Sequence, residues 1–181
     1  MKIRTHFIEG NVIVLDVEAG RSVFKSGFFG KPLGVPKPKD LEFDEPLVLD
    51  LIEARYLVEE GVIEVRRDGR SLSLEELDEE GERSYERFRD LYAVYRDLRR
   101  RGFVVTSGIK FGSDFAVYKE GPGLEHAPFI VQVKGREDRI SATELVRAGR
   151  LATTVRKHFI IAIPDLESGR VDYLIFNWVR F

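Results

Sequence analysis

The sequence predicts an α+β chain: a small N-terminal α/β domain (a hairpin plus helices), followed by a C-terminal α-β-β-β-α-β-β domain with a mixed sheet. Three observations lead there. Short apolar segments bounded by glycine and proline recur along the chain, segments of helical period interrupt them, and charge and composition shift at Gly81. The 181 residues, 43% of them hydrophobic, suffice for a real core in one average domain or two small ones. The shift at Gly81 divides the chain into domains 1–81 and 82–181.

Ile3 to Val17 alternates apolar and polar residues around Glu9-Gly10-Asn11, predicting strand, turn and strand. The breaker density between Lys25 and Asp40 excludes regular structure there. From Leu47 to Val58 the apolar residues fall at helical spacing and stop at Gly61, predicting a buried helix, with a short strand at Val62 to Val65. Ser73-Leu74-Glu75-Glu76 has capping-box form and opens a short acidic helix ending at Gly81.

Ser84 to Arg101 carries Tyr85, Phe88, Leu91, Tyr92, Tyr95 and Leu98 on one helical face, with Gly102 as the terminating glycine. At that spacing the aromatic stripe reads as core packing rather than base stacking. Phe103 to Thr106, Phe111 to Tyr118 and Pro128 to Val133 read as an antiparallel meander. A second capping box, Ser141-Ala142-Thr143-Glu144, opens a helix running to about Lys157. Phe159 to Ile163 and Val171 to Val179 form the final hairpin.

The formal net charge of −2 conceals an acidic and a basic half. Residues 1–81 hold 11 Lys and Arg against 18 Asp and Glu; residues 82–181 hold 18 against 13. Such asymmetry points to nucleic acid, because clustered cations attract phosphate whatever the base sequence. The absence of cysteine excludes disulfides, thiolate–metal sites and a cysteine nucleophile. No apolar run approaches 18 residues and the first residues lack a signal-peptide core, so a cytoplasmic location is expected.

There is no HExxH, GxxxxGK[ST] or GxSxG, and three histidines are too few for a histidine-rich metal cage. His6 and His158 read as structural or surface residues. His126 lies in a glycine- and proline-rich loop leaving a strand, a usual position for a proton donor. Tyr118 stands at that strand's end, and Lys157 closes a helix carrying Arg147, Arg150 and Arg156. RNA cleavage by its own 2′-hydroxyl requires a group to take the hydroxyl proton, another to protonate the leaving 5′-oxygen, and a cation for the phosphorane. Tyrosine, histidine and lysine fill those roles without a metal.

The chain resembles the archaeal tRNA-splicing endonucleases over nearly its whole length. The resemblance rests on Phe24-Lys25-Ser26-Gly27-Phe28-Phe29-Gly30-Lys31-Pro32 and Leu51 to Val58 in the N-terminal half. In the C-terminal half it rests on Gly108 to Tyr118, Glu125-His126-Ala127 and Val155-Arg156-Lys157. By position the resemblance implies Tyr118 as general base, His126 as general acid and Lys157 as the stabiliser of the transition state. It implies cleavage of precursor tRNA at a bulge-helix-bulge, leaving a 2′,3′-cyclic phosphate and a 5′-hydroxyl, with no metal or other cofactor in the chemistry. A free phenol, with a pKa of about 10, is a poor base near neutrality, so Tyr118 either acts as a phenolate favoured by nearby cations or only orients the hydroxyl.

The resemblance further implies a clamp on a bulged base, for which Arg150 and Trp178, with Arg180 as substitute, are the positional candidates. It implies a homo- or heterotetramer in which C-terminal strands pair and an acidic loop docks in a neighbour's basic pocket. Asp165 and Glu167 supply a thin acidic loop, which fits a chain needing a distinct structural subunit. Two other readings stand beside it. Asp114 with Gln132-Val133-Lys134 resembles a degenerate D…(D/E)xK motif of Mg²⁺ nucleases, although Gln132 replaces a carboxylate. A non-catalytic RNA-binding or structural subunit is the other.

Overall fold

The computed structural model describes residues 2–35, 41–154 and 157–176, which form two compact units, Met1–Phe88 and Arg89–Phe181. Both mix helices with a mixed sheet, as the α+β expectation required. Among the described residues no helix is long and apolar enough to cross a membrane.

In the first unit, β1 (Ile3–Ile8) and β2 (Asn11–Val14) form the expected hairpin. Its two-residue turn, Glu9-Gly10, has positive φ at both positions, the twist that antiparallel strands favour. The second strand stops at Val14 rather than Val17, because the Asp16 carboxylate accepts the Ala19 N–H and caps α1 (Val17–Lys25). The breaker-rich stretch after it is not wholly irregular, since Lys31–Pro32 makes a two-residue strand, β3, on β4 (Leu47–Leu49).

That β4 corrects the expected helix from Leu47. Leu47 and Leu49 are fully buried and pair with β2, so the segment alternates as a strand. The helix α2 (Leu51–Glu59) begins only after Asp50, whose carboxylate accepts the Glu53 N–H and fixes the helix start. β5 (Ile63–Arg67) pairs in parallel with β1, and β6 (Arg70–Ser71) ends the sheet, whose order is β3-β4-β2-β1-β5-β6. Val12, Val14, Leu47, Leu49, Ile63 and Val65 are sealed from water along its inner face.

The Ser73 capping box is present, but α3 runs from Leu74 to Ser84, past Gly81. Gly81 ends no helix. It is buried beneath the Phe88 ring, where an added Cβ would come within 2.4 Å of a ring carbon. The aromatic helix consequently starts later than Ser84, as α4 (Phe88–Arg100), after Arg87 with φ 65°.

The second unit is a five-stranded sheet in the order β11-β10-β9-β8-β7: β7 (Val104–Ser107), β8 (Phe115–Tyr118), β9 (Phe129–Val133), β10 (His158–Asp165) and β11 (Arg170–Phe176). β7, β8 and β9 form the expected meander, β9 and β10 are parallel, and α5 (Ala142–Thr154) lies in the crossover between them. Phe111 to Asp114 is not strand. Ile109–Phe111 forms a 3-10 turn ended by Gly112 in the left-handed region.

The Tyr95 ring of α4 packs on Phe115 at 5.9 Å, and the Tyr173 hydroxyl donates to Asp97 at 2.6 Å. Burial and that carboxylate push the Tyr173 pKa up. On the opposite face of the sheet Ala116, Ile130, Phe159 and Ile161 bury Ala148 of α5.

Glu53 binds the first unit together locally. Only 9% exposed, it accepts the N–H of Gly30 at 3.0 Å through one oxygen and that of Asp50 at 3.1 Å through the other. Hydrogen bonds to a charged acceptor contribute about 1.5–3 kcal/mol, and their loss orphans two N–H groups. Glu53→Ala should therefore lower unfolding stability by about 3 kcal/mol, measured as a fall in denaturant midpoint with little change in slope.

Candidate active site

The sheet register of the second unit gathers the three expected catalytic positions at one end. Tyr118 is the last residue of β8, and the pairing of Val117 with Phe129 sets it beside the residue that precedes β9. His158 pairs with Phe129, so Lys157, just before β10, reaches the same end. His126 lies in the loop that feeds β9. Two antiparallel neighbours and one parallel neighbour thus bring a strand end, a loop and a strand start together.

Tyr118 is half-buried and packs on the cluster that includes Ala116, Ile130 and Phe159. The loop before β9 holds itself: the Glu120 N–H donates to the Glu125 carboxylate at 2.6 Å, and the N–H groups of Leu124 and Glu125 both donate to the Gly121 carbonyl at 3.2 Å. His126, next along, is exposed, while Ala127 is buried. The Lys157 ammonium donates to the Ala127 carbonyl at 2.6 Å, one residue from His126.

Lys157 is 9% exposed, and its ammonium lies 4.9 Å from the Phe111 ring centre. Burial pushes its pKa below the ordinary lysine value, and the like charge of Lys110 pushes it the same way. Lys110 is itself exposed, with its ammonium 5.3 Å from the same ring. An exposed cation–π contact contributes about 0.5–1 kcal/mol, and the like charge of Lys157 works against it. Folding therefore gains little from placing Lys110 there.

The turn carrying Lys110 and Phe111 is built on Gly108. A Cβ at Gly108 would sit 2.7 Å from the Phe115 nitrogen and 2.8 Å from the Ser113 carbonyl oxygen, both backbone atoms that cannot swing away. Beyond the turn, the Arg147 guanidinium reaches the Gly112 carbonyl at 3.4 Å. Between α5 and the sheet opens a cavity of about 220 Å³, walled by Ile140, Leu145, Ala148 and Ile161 and edged by Ser113, Gln132, Lys134 and Arg147.

The Mg²⁺-nuclease residues are differently occupied. Asp114 accepts the Val133 N–H at 2.7 Å, locking the β8 start to β9, and Lys134 pairs with Glu144 at 2.8 Å. No group of three metal-ligating side chains gathers among the described residues.

Arg150 lies exposed on α5, one turn beyond Arg147, while Trp178 and Arg180 lie outside the described residues, as do Val155 and Arg156. Asp165 serves its own turn, accepting the N–H groups of Glu167 at 3.0 Å and Ser168 at 3.2 Å; the Ser168 hydroxyl first, and then these N–H groups, keep its pKa low. Glu167 and Leu166 are exposed beside it. Sequence reasoning gave no role to Lys110, Phe111 or the Asp114 lock. The first two stand within a quoted motif, whereas the third depends on strand register.

Two measurements follow from this geometry. Gly108→Ala should destabilise the second unit by about 1–3 kcal/mol, seen as a lowered denaturant midpoint. Glu144, bonded first by Lys134 and then by the Ser141 cap, has its pKa lowered from 4.5 to about 2. A carboxylate whose pKa falls on folding stabilises the fold above its unfolded pKa and loses that contribution as pH drops toward 2. Lys134→Ala should raise the Glu144 pKa in an NMR titration and make the protein lose stability at a higher pH during acidification.

Comparison with known proteins covers both units. Residues 88–173 match the family model of the tRNA intron endonuclease catalytic C-terminal domain, and residues 3–77 match that of the N-terminal domain. A tRNA-splicing endonuclease of Hyperthermus butylicus is 48% identical over 179 residues, 98% of this chain and 99% of that protein. One from Sulfurisphaera tokodaii is 41% identical over 96% of this chain and 97% of that protein. One from Sulfolobus acidocaldarius is 41% identical over 98% and 99%. With both of its units matched and its relatives covered end to end, the chain belongs to the tRNA intron endonuclease family.

Proposed function

We propose that this chain is a catalytic subunit of a tRNA-splicing endonuclease that cuts precursor tRNA at bulge-helix-bulge intron boundaries. The observation that carries the reading is the convergence of Tyr118, His126 and Lys157 at one end of a single sheet, in a chain whose relatives are named for that activity. The 2′-hydroxyl beside the scissile bond attacks phosphorus, giving its proton to Tyr118 as a phenolate, which becomes the phenol, or to solvent while the Tyr118 phenol orients it. Lys157 holds the charge that develops on the phosphorane oxygens, and His126 protonates the departing 5′-oxygen. The products are a 2′,3′-cyclic phosphate and a 5′-hydroxyl. The exposed His126 is placed to meet a substrate, and the ammonium fixed to the adjacent Ala127 carbonyl keeps the positive charge next to it.

The working assembly is a tetramer. Among the described strands β11 pairs only with β10, leaving its outer edge open, and Leu174 and Ile175 stand 48% and 55% exposed. That edge suits pairing with another subunit's terminal strand. Asp165 and Glu167 at the β10–β11 turn are the acidic residues offered to a neighbour's basic pocket, and so thin an acidic loop fits a distinct structural subunit that completes the assembly.

Purified chain, alone and with candidate structural subunits, should cleave a bulge-helix-bulge RNA in EDTA and leave cyclic-phosphate ends. Ends with 3′-hydroxyl and 5′-phosphate would overturn the reading, and full activity of the chain alone would remove the required partner. His126→Ala should slow cleavage about 10²–10⁴-fold while RNA binding persists.

A further inference from the structure

We propose that Lys110 is a second phosphate ligand of this active site, binding the RNA backbone alongside Lys157, whose ammonium lies over the same Phe111 ring. The inference deepens the function proposed above and rests on it. The Lys157 ammonium is 4.9 Å and the Lys110 ammonium 5.3 Å from the centre of that one ring. Their separation is thereby bounded at about a Debye length in 0.1 M salt, so each feels the other's charge.

Neither lysine has a carboxylate partner among the described residues. This contrasts with Lys25, which pairs with Glu42, and Lys134, which pairs with Glu144. Two unneutralised cations against one aromatic ring, one buried and one exposed, make a weak structural device, since their repulsion works against the attraction of the ring. They make a good site for an anion that neutralises both. The polyanion that the reaction supplies is a run of phosphodiesters, and a lysine serves as a point charge toward one of them.

The position of Lys110 suits that task. It stands on the 3-10 turn Ile109–Phe111, held from behind by Gly108, and its neighbour Ile109 is 82% exposed, so the turn projects into solvent. The Phe111 ring packs against the same cluster as Tyr118, which fixes the ring and hence the place where the lysine rests. Lys157 faces the reacting phosphate from a fixed, buried position. Lys110, exposed on its projecting turn, takes the same linkage or an adjacent one.

The test uses the active assembly and a bulge-helix-bulge RNA carrying 2′-deoxy substitutions at the cleavage sites, which binds without being cut. Lys110→Gln should weaken binding about tenfold at low salt and reduce the slope of log affinity against log salt by about one phosphate contact. Lys110→Arg should restore both, and KM for cleavable RNA should rise with Lys110→Gln more than kcat falls. Wild-type affinity and slope in Lys110→Gln would overturn the inference, as would weakened binding with an unchanged slope that Arg fails to restore. Cleavage by the wild-type assembly to cyclic-phosphate ends is scored in parallel. Its failure sinks the proposed function, whereas its success beside an unaffected Lys110→Gln sinks the second ligand alone.

Discussion

Everything at the candidate site depends on the parallel pairing of β9 with β10. A parallel pair cannot be closed by a tight turn; the chain must leave one end of the sheet and return to the other, and here α5 lies in that return path. The return delivers Lys157 beside the loop that has just presented His126, and the Lys157–Ala127 bond closes the arrangement. At the far end the Lys134–Glu144 pair ties the end of β9 to the first turn of α5, so the crossover is fastened where it departs and where it arrives.

The electrostatics follow from that topology. Burial makes the Lys157 cation costly, and the structure answers with a carbonyl oxygen and an aromatic face rather than with a carboxylate. A carboxylate would neutralise the charge. A carbonyl dipole orients the ammonium and leaves it positively charged, as the proposed role in cleavage requires. Elsewhere in the same unit cations are neutralised directly: Arg101 pairs with Asp97 and Lys134 with Glu144.

Much of this was legible in the sequence wherever a signal is local. The S-x-x-E boxes at Ser73 and Ser141 marked two helix starts, and both caps are made. The alternation in β1 and β2 and the apolar segments of β7, β8 and β9 were equally readable, although Phe111 to Asp114 falls outside β8. Signals that compete were misread. Leu47–Leu49 looks helical beside Leu51 to Val58, and only its pairing with β2 and the Asp50 cap divide the run. Asp16-Val17-Glu18 opens a helix weakened in appearance by Gly20, which is there because the Leu47 Cβ would lie 3.1 Å from an added Cβ. At the site, the chemical types of Tyr118, His126 and Lys157 could be named from their motifs. The burial of Lys157 could not, because it arises from contacts between strands far apart in the chain.

The last described strand, β11, has an imbalance of its own. One row of its backbone N–H and C=O groups is satisfied by β10, while no described strand pairs with the other row, beside exposed Leu174 and Ile175. Water can serve those groups only while nothing better is available, so a solution of the lone chain is sensitive to its own concentration. Adding charge along that edge would raise the solubility of the chain and, in the tetramer proposed above, would remove the surface through which subunits pair. In that assembly colloidal behaviour and quaternary structure would answer to the same strand edge, away from the candidate site.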